Sequence, residues 1–149
     1  MKEKNAYSAF YGQCSMLIKR TKTVAVDFDN TIAKWIGKED ATYPYAGPLL
    51  SGVKENIQKL KDLGFKVIIW SSRFSSLVRP SKIDRETHAK DLSDFLTKNE
   101  IPFDIVDQGE CGKQIADYYI DDRNVPFMSW DMMSEWIRQD WEENGSVYK

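Results

Sequence analysis

Hydrophobic positions change period several times along this chain, and each change marks an element. Val24, Ala25 and Val26 form a short β-compatible run that can be buried on both faces. Val53, Ile57, Leu60 and Leu63 then recur at helical spacing, with Ser51 able to cap the start and Gly64 placed to stop the end. Phe65 to Trp70 supplies a second buried strand of β-branched and aromatic residues. Ala89, Leu92, Phe95 and Leu96 make the buried stripe of a helix over about Arg85 to Asn99. Ile101 to Val106, introduced by Pro102, reads as a third and shorter strand, and Tyr118 to Ile120 as a fourth. Trp130, Met133, Trp136, Ile137 and Trp141 return to helical spacing and predict a closing helix packed on the sheet. Strands alternating with helices give an α/β domain with a mainly parallel sheet, whose crossovers bring the strand ends to one edge.

The remaining segments are irregular. Residues 1–22 mix Lys, Tyr, Ser and Gln with one brief apolar patch, and read as an extension packed on or beside a single domain spanning 23–149. Ile32 to Leu50 is broken by Gly37, Pro44, Gly47 and Pro48 and reads as a long loop or flap. Its aromatics, Trp35, Tyr43 and Tyr45, are expected to pin that loop to the body of the protein rather than to stack on a substrate.

Composition narrows the class. A chain of 149 residues with 42% hydrophobic and 13% aromatic residues can bury one core. A net charge of -2 gives no global attraction to nucleic acid or to an anionic membrane. Cys14 and Cys111 lie far apart without metal-type spacing, which suits a reducing compartment. The longest apolar runs, such as Val67 to Trp70, fall far below the ~20 residues of a membrane helix. A soluble cytoplasmic protein is the expectation, without repeats or low-complexity linkers.

The chemistry lies in what the strands end in. Past Val26 come Asp27 and Asp29, which would share one side if the strand continued, followed by Asn30 and Thr31. Taken alone, such a cluster serves equally well as a turn and its cap. The other strands decide between the two. The second ends in Ser71, Ser72 and Arg73, a later loop holds Lys113, and the fourth ends in Asp121 and Asp122, a second acidic pair. Between Arg73 and Arg85 the basic residues Arg73, Arg79, Lys82 and Arg85 face the single acid Asp84, and Arg73 is the best placed of them to meet a ligand. His88, the only histidine, sits one residue off its helix stripe with no second metal ligand close in sequence, so neither a histidine base nor a Ser-His pair is in view. Four carboxylates at one edge repel one another unless a cation sits among them. Hard oxygen ligands beside a phosphate-sized anion site point to Mg²⁺.

These residues, in this order, resemble the haloacid dehalogenase (HAD) superfamily, chiefly its phosphatases, over Val24 to Arg123. A hydrophobic strand followed by DxDxT is met by Asp27, Asp29 and Thr31; a hydroxyl closing the second strand by Ser71, with Ser72 as the second choice; a lysine by Lys113; and a closing acidic pair by Asp121 and Asp122. Gln114 departs from the proline that often follows that lysine. The resemblance implies a Rossmann-like three-layer sandwich and Mg²⁺-dependent phosphomonoester hydrolysis. Asp27 would be the nucleophile that becomes an aspartyl-phosphate, and Asp29 the acid/base. Mg²⁺ would be held by the Asp27 carboxylate, the Asp29 backbone carbonyl and the last acidic pair, Asp121 in direct contact with Asp122 behind it. Ser71, Ser72, Arg73 and Lys113 would bind the phosphoryl group or the substrate, while Thr31 orders the loop.

Two competing readings are a phospho-signalling receiver domain and a HAD-like binding protein without turnover. Motif order argues against the first, because a receiver has its acidic pair first and its phosphoacceptor Asp in mid-chain. The second lacks a missing catalytic residue to support it. Ile32 to Leu50 and Asp107 to Gly112 are too short for a folded cap, so a capless, open site is expected. The resemblance implies a site of the kind that in this family often serves macromolecular phosphates or relies on oligomerisation to cover a small substrate. The substrate class stays open among nucleotides, sugar phosphates and nucleic-acid ends.

Overall fold

A computed structural model describes residues 22–37, 44–110, 112–113, 115–125 and 129–144. Four parallel strands form its sheet: β1 (Thr23–Asp27), β4 (Lys66–Trp70), β5 (Ile105–Val106) and β6 (Tyr118–Ile120), in the order β5-β4-β1-β6. A separate antiparallel hairpin joins β2 (Ala33–Trp35) to β3 (Ala46–Leu49). The described helices are α1 (Val53–Asp62), α2 (Lys82–Lys98) and α3 (Trp130–Asn144), with a single 3-10 turn at Ser72–Phe74.

Strand periodicity builds the core directly. Val24 and Val26 of β1 lie beside Val67 and Ile69 of β4 and share one buried cluster with Ile57 of α1 and with Ala89, Leu92 and Leu96 of α2. Ala25 and Ile68 point to the opposite face and are also fully buried, so the sheet is covered on both sides. The crossovers β1-α1-β4 and β4-α2-β5 run in one direction along the sheet, and the buried cluster shared by Ile57 with Ala89, Leu92 and Leu96 places α1 and α2 on the same face.

Two carboxylates secure the starting edge of the sheet. Asp117 accepts the Thr23 N–H at 2.8 Å, and the Asp117 N–H donates to the Thr23 carbonyl at 2.9 Å, which fixes β6 beside β1. Asp104 accepts the Val67 N–H at 2.7 Å and pairs with Lys61 of α1 at 2.5 Å. At this edge Asp104 meets a cation and Asp117 a backbone donor.

Several boundaries differ from the sequence expectation, each for a local reason. Ile32 to Leu50 contains the β2–β3 hairpin instead of plain loop. A Cβ at Gly47 would stand 2.6 Å from the Ile36 side chain, so only glycine lets the two strands approach. Helix α1 has Gly52 at its N-cap, in the left-handed region at φ 77° with no side-chain cap, and not Ser51; Leu63 is 61% exposed at its other end. Helix α2 begins at Lys82 because Ser81 caps it by accepting the Asp84 N–H at 3.3 Å. Its first turn buries nothing, so hydrophobic spacing could not mark it. Strand β5 shrinks to Ile105–Val106, since Pro102 has no N–H to give a ladder and the Ile101 N–H is spent on Leu96 at the end of α2. The closing helix forms, but Met133 is the one described side chain in α3 that is buried, while Trp130, Trp136 and Trp141 are exposed. The extension over 1–21, Tyr43, Cys14, Cys111 and Gln114 lie outside the described residues. Among the described residues no helix is long and apolar enough to cross a membrane.

Candidate active site

Strand β1 ends at Asp27, and the chain turns tightly around a buried pivot. Phe28 is fully buried, and its carbonyl faces the N–H groups of Thr31, Ile32 and Ala33 at 3.4, 2.9 and 3.2 Å. Asn30 takes the left-handed region at φ 57°, a conformation asparagine tolerates better than most residues. Its side-chain oxygen accepts the Trp35 N–H at 3.0 Å, which ties the turn to the hairpin. Asp27 and Asp29 therefore flank one buried ring and emerge at the carboxyl end of the sheet.

The acids of β1 and β6 meet there. Val26 is in register with Ile120, so the residues just past both strands arrive side by side. One carboxylate oxygen from each of Asp27, Asp121 and Asp122 lies within 4.8 Å of the others. Thr31 stitches the two loops together: its hydroxyl donates to Asp27 Oδ2 at 3.4 Å and accepts the Asp122 N–H at 3.1 Å. Asp121 accepts the Arg123 N–H at 2.8 Å, which shapes the turn after β6.

This clustering has an electrostatic consequence. Burial pushes the Asp27 carboxyl up from its ordinary 3.8 to about 7, helped by the negative charge of Asp121 and, more weakly, of Asp29 and Asp122, against an opposing backbone hydrogen bond at Phe28. Asp122 is also raised, chiefly by burial, with Arg123 opposing and Asp121 assisting. Such a group is relieved either by a shared proton or by a cation held among its oxygens. Asp27, Asp121 and Asp122 are the described residues able to hold one.

Beside this cluster lies a second one, around Asp29. Ser71 closes β4 in extended conformation, is 6% exposed, and stands 3.4 Å from Asp29 Oδ2 through its hydroxyl, which also accepts the Arg73 N–H at 3.2 Å. Arg73 forks onto Asp29, with Nε 2.7 Å from Oδ2 and Nη2 2.5 Å from Oδ1. Its guanidinium lies among the rings of Trp35, Phe28 and Tyr45, and Trp35 and Tyr45 themselves meet edge to face at 5.8 Å.

The structure thus gathers Asp27, Asp121 and Asp122 in one group and Asp29, Ser71 and Arg73 in the next. Lys113 and Ser72 are exposed and line a neighbouring cleft together with Ser71 and Asp121. The Lys113 ammonium sits 4.6 Å over the Tyr119 ring. His88 belongs to neither group; its Nδ1 contacts the Asp84 carbonyl at 2.7 Å within α2. Sequence reasoning missed the link between the hairpin and the site. It marked Trp35 and Tyr45 as loop-pinning aromatics, and nothing in their spacing identifies Arg73 as what they pin.

No protein-family model matches the chain, and no curated protein matches it. Among solved structures, the crystal structure of a target protein from Vibrio cholerae is similar, with a TM-score of 0.47 and 23% identity over 80% of this chain and 98% of that one. At that level neither fold nor function transfers between the two.

Proposed function

We propose that this chain is a capless phosphatase of the HAD type, with a Rossmann-like three-layer core, that hydrolyses phosphomonoesters with Mg²⁺ through an aspartyl-phosphate on Asp27. The observation that carries this reading is the convergence of the Asp27, Asp121 and Asp122 carboxylates within 4.8 Å, with Asp29 and Ser71 alongside. The β2–β3 hairpin stands where a cap would be inserted and is too short to fold as one. Metal-ligating roles in the proposal fall to Asp27, the Asp29 backbone carbonyl and Asp121, with Asp122 completing the acidic group.

The chemistry takes two steps. In the first, an Asp27 oxygen attacks phosphorus, the ester P–O bond breaks, and Asp29 gives its proton to the departing alkoxide oxygen. In the second, water attacks the phosphorus of the aspartyl-phosphate and passes a proton to Asp29; the P–O bond to Asp27 breaks and inorganic phosphate leaves. Bound Mg²⁺ would supply positive charge that lets an anionic nucleophile approach an anionic ester. Ser71 presents a hydroxyl to the phosphoryl oxygens, and Lys113 brings a cation on a flexible stem at the cleft. Thr31 keeps the loops of Asp27 and Asp122 in step through its two hydrogen bonds.

The substrate is a phosphate ester of nucleotide, sugar or macromolecular type, taken by an open site that a second copy of the chain could cover. A panel of such esters, assayed with Mg²⁺ and again with a chelator, tests the proposal. Metal-dependent phosphate release that Asp27→Asn removes is expected. Release of no phosphate from any ester would overturn turnover and leave a phosphate-binding protein.

A further inference from the structure

The guanidinium of Arg73 touches the site on one side and the hairpin on the other. Its fork meets both oxygens of Asp29, at 2.7 and 2.5 Å, while Nη1 donates to the carbonyl of Pro44, two residues before β3. Trp35 lies 4.8 Å from its central carbon, Phe28 5.3 Å and Tyr45 6.0 Å. The side chains of Arg73 and Asp29 are only 9% and 19% exposed. An arginine this deep, with at least three of its N–H groups spent on Asp29 and Pro44, is poorly presented to an incoming phosphate.

Resting on the phosphatase reading, we infer that Arg73 is a positioning residue that acts through Asp29: it fixes the plane of the Asp29 carboxylate and makes that plane depend on how the β2–β3 hairpin is seated. A carboxylate on a short side chain can turn about its last torsion. Two bonds from a rigid fork remove that freedom; Oδ2 also meets the Ser71 hydroxyl, which leaves an Oδ1 lone pair to carry the proton given to the leaving oxygen and to take one from water. The fork is held in turn by Pro44 and the two hairpin rings, so displacing the hairpin releases Arg73 and then Asp29. Lysine would keep the charge but lose the fork and the planar stacking, so it cannot substitute. The 3-10 turn carrying Arg73 is locked from behind, because a Cβ at Gly109 would stand 2.3 Å from the Phe74 carbonyl, and glycine alone lets that loop close on it.

The test uses the full chain with Mg²⁺ and p-nitrophenyl phosphate, comparing Arg73→Ala and Arg73→Lys in the wild-type background and in Asp29→Asn. A positioning role lowers kcat by about 10- to 100-fold with KM nearly unchanged, lysine rescues nothing, and in Asp29→Asn the further loss stays under about threefold. A raised KM, rescue by lysine, or losses that multiply fully in Asp29→Asn would overturn it and make Arg73 a direct phosphate ligand. Hydrogen exchange on the substrate-free protein reads the linkage without turnover. The amides of residues 33–35 and of Ala46, Gly47 and Leu49 in the hairpin should exchange faster in Arg73→Lys and in Asp29→Asn, where one acceptor facing the fork becomes a donor. Unchanged exchange refutes the coupling. If the wild type hydrolyses no ester, the phosphatase reading falls, and exchange alone then decides whether Arg73 joins hairpin to Asp29.

Discussion

The two ends of the same sheet treat the same side chain in opposite ways. At the starting edge, Asp104 is matched by Lys61 at 2.5 Å and by the Val67 N–H, and Asp117 by the Thr23 N–H. At the finishing edge, Asp27 is crowded by Asp121 and Asp122, and its proton is held up to about pH 7 by burial and by their charge. Acids at the first edge hold strands together, whereas the crowding at Asp27 opposes folding while Asp29 beside it is paired by Arg73. A cluster that destabilises its own fold is what a binding or catalytic site looks like, because the missing charge is left for a ligand to supply.

Breaking the finishing edge should be felt first in turnover. Asp27→Asn should cost at least about 10³-fold in phosphate release, since an amide cannot form the covalent intermediate. Asp29→Asn should slow turnover by about 10²- to 10⁴-fold, the usual share of a positioned acid/base, read as steady-state phosphate release. Asp121→Asn should raise the Mg²⁺ concentration needed for half-maximal activity by more than about tenfold, whereas Asp104→Asn should leave it where it was.

Stability sharpens the contrast, with the sign reversed between the edges. The folded-state pKa of Asp27 is raised, so without metal the unfolded chain ionises first as pH rises, and stability falls between roughly pH 4 and pH 7. In a chelator at about pH 8, Asp27→Asn should therefore melt above the wild type, and that margin should close toward about pH 4. Saturating Mg²⁺ should close it from the other side by stabilising only the wild type. At the starting edge Asp104→Asn should lower stability by about 1 kcal/mol, because it removes the charge facing Lys61 and leaves one acceptor oxygen for both the ammonium and the Val67 N–H, and phosphate release should be unchanged. Equal behaviour of Asp27→Asn and Asp104→Asn in thermal melts would erase the distinction between the edges.

Much of this architecture was legible in the order of residues. Val24 to Val26 and Phe65 to Trp70 became the central parallel pair because continuous β-branched runs have few other places to be buried. The acids past β1 and β6 met because parallel crossovers return strand ends to one side. What stayed hidden depends on contacts distant in sequence. Gly47 is required only because Ile36 lies against it, and Arg73 found Asp29 and Tyr45 across gaps of 44 and 28 residues that no periodicity encodes. Helix α3 shows the opposite failure. Its tryptophans have helical spacing, yet Trp130 is 78% exposed, because an apolar stripe specifies a face and not what covers it.

The most direct measurement is the mass of the chain itself. Asp29→Asn, mixed with p-nitrophenyl phosphate and Mg²⁺ and quenched in acid within the first turnover, should gain the mass of one phosphoryl group. Peptide mapping should place it on Asp27, and the gain should be absent in the Asp27→Asn, Asp29→Asn double variant. Steady hydrolysis by the wild type with no covalent phosphate trapped in Asp29→Asn, or with phosphate on another residue, would contradict a nucleophilic Asp27.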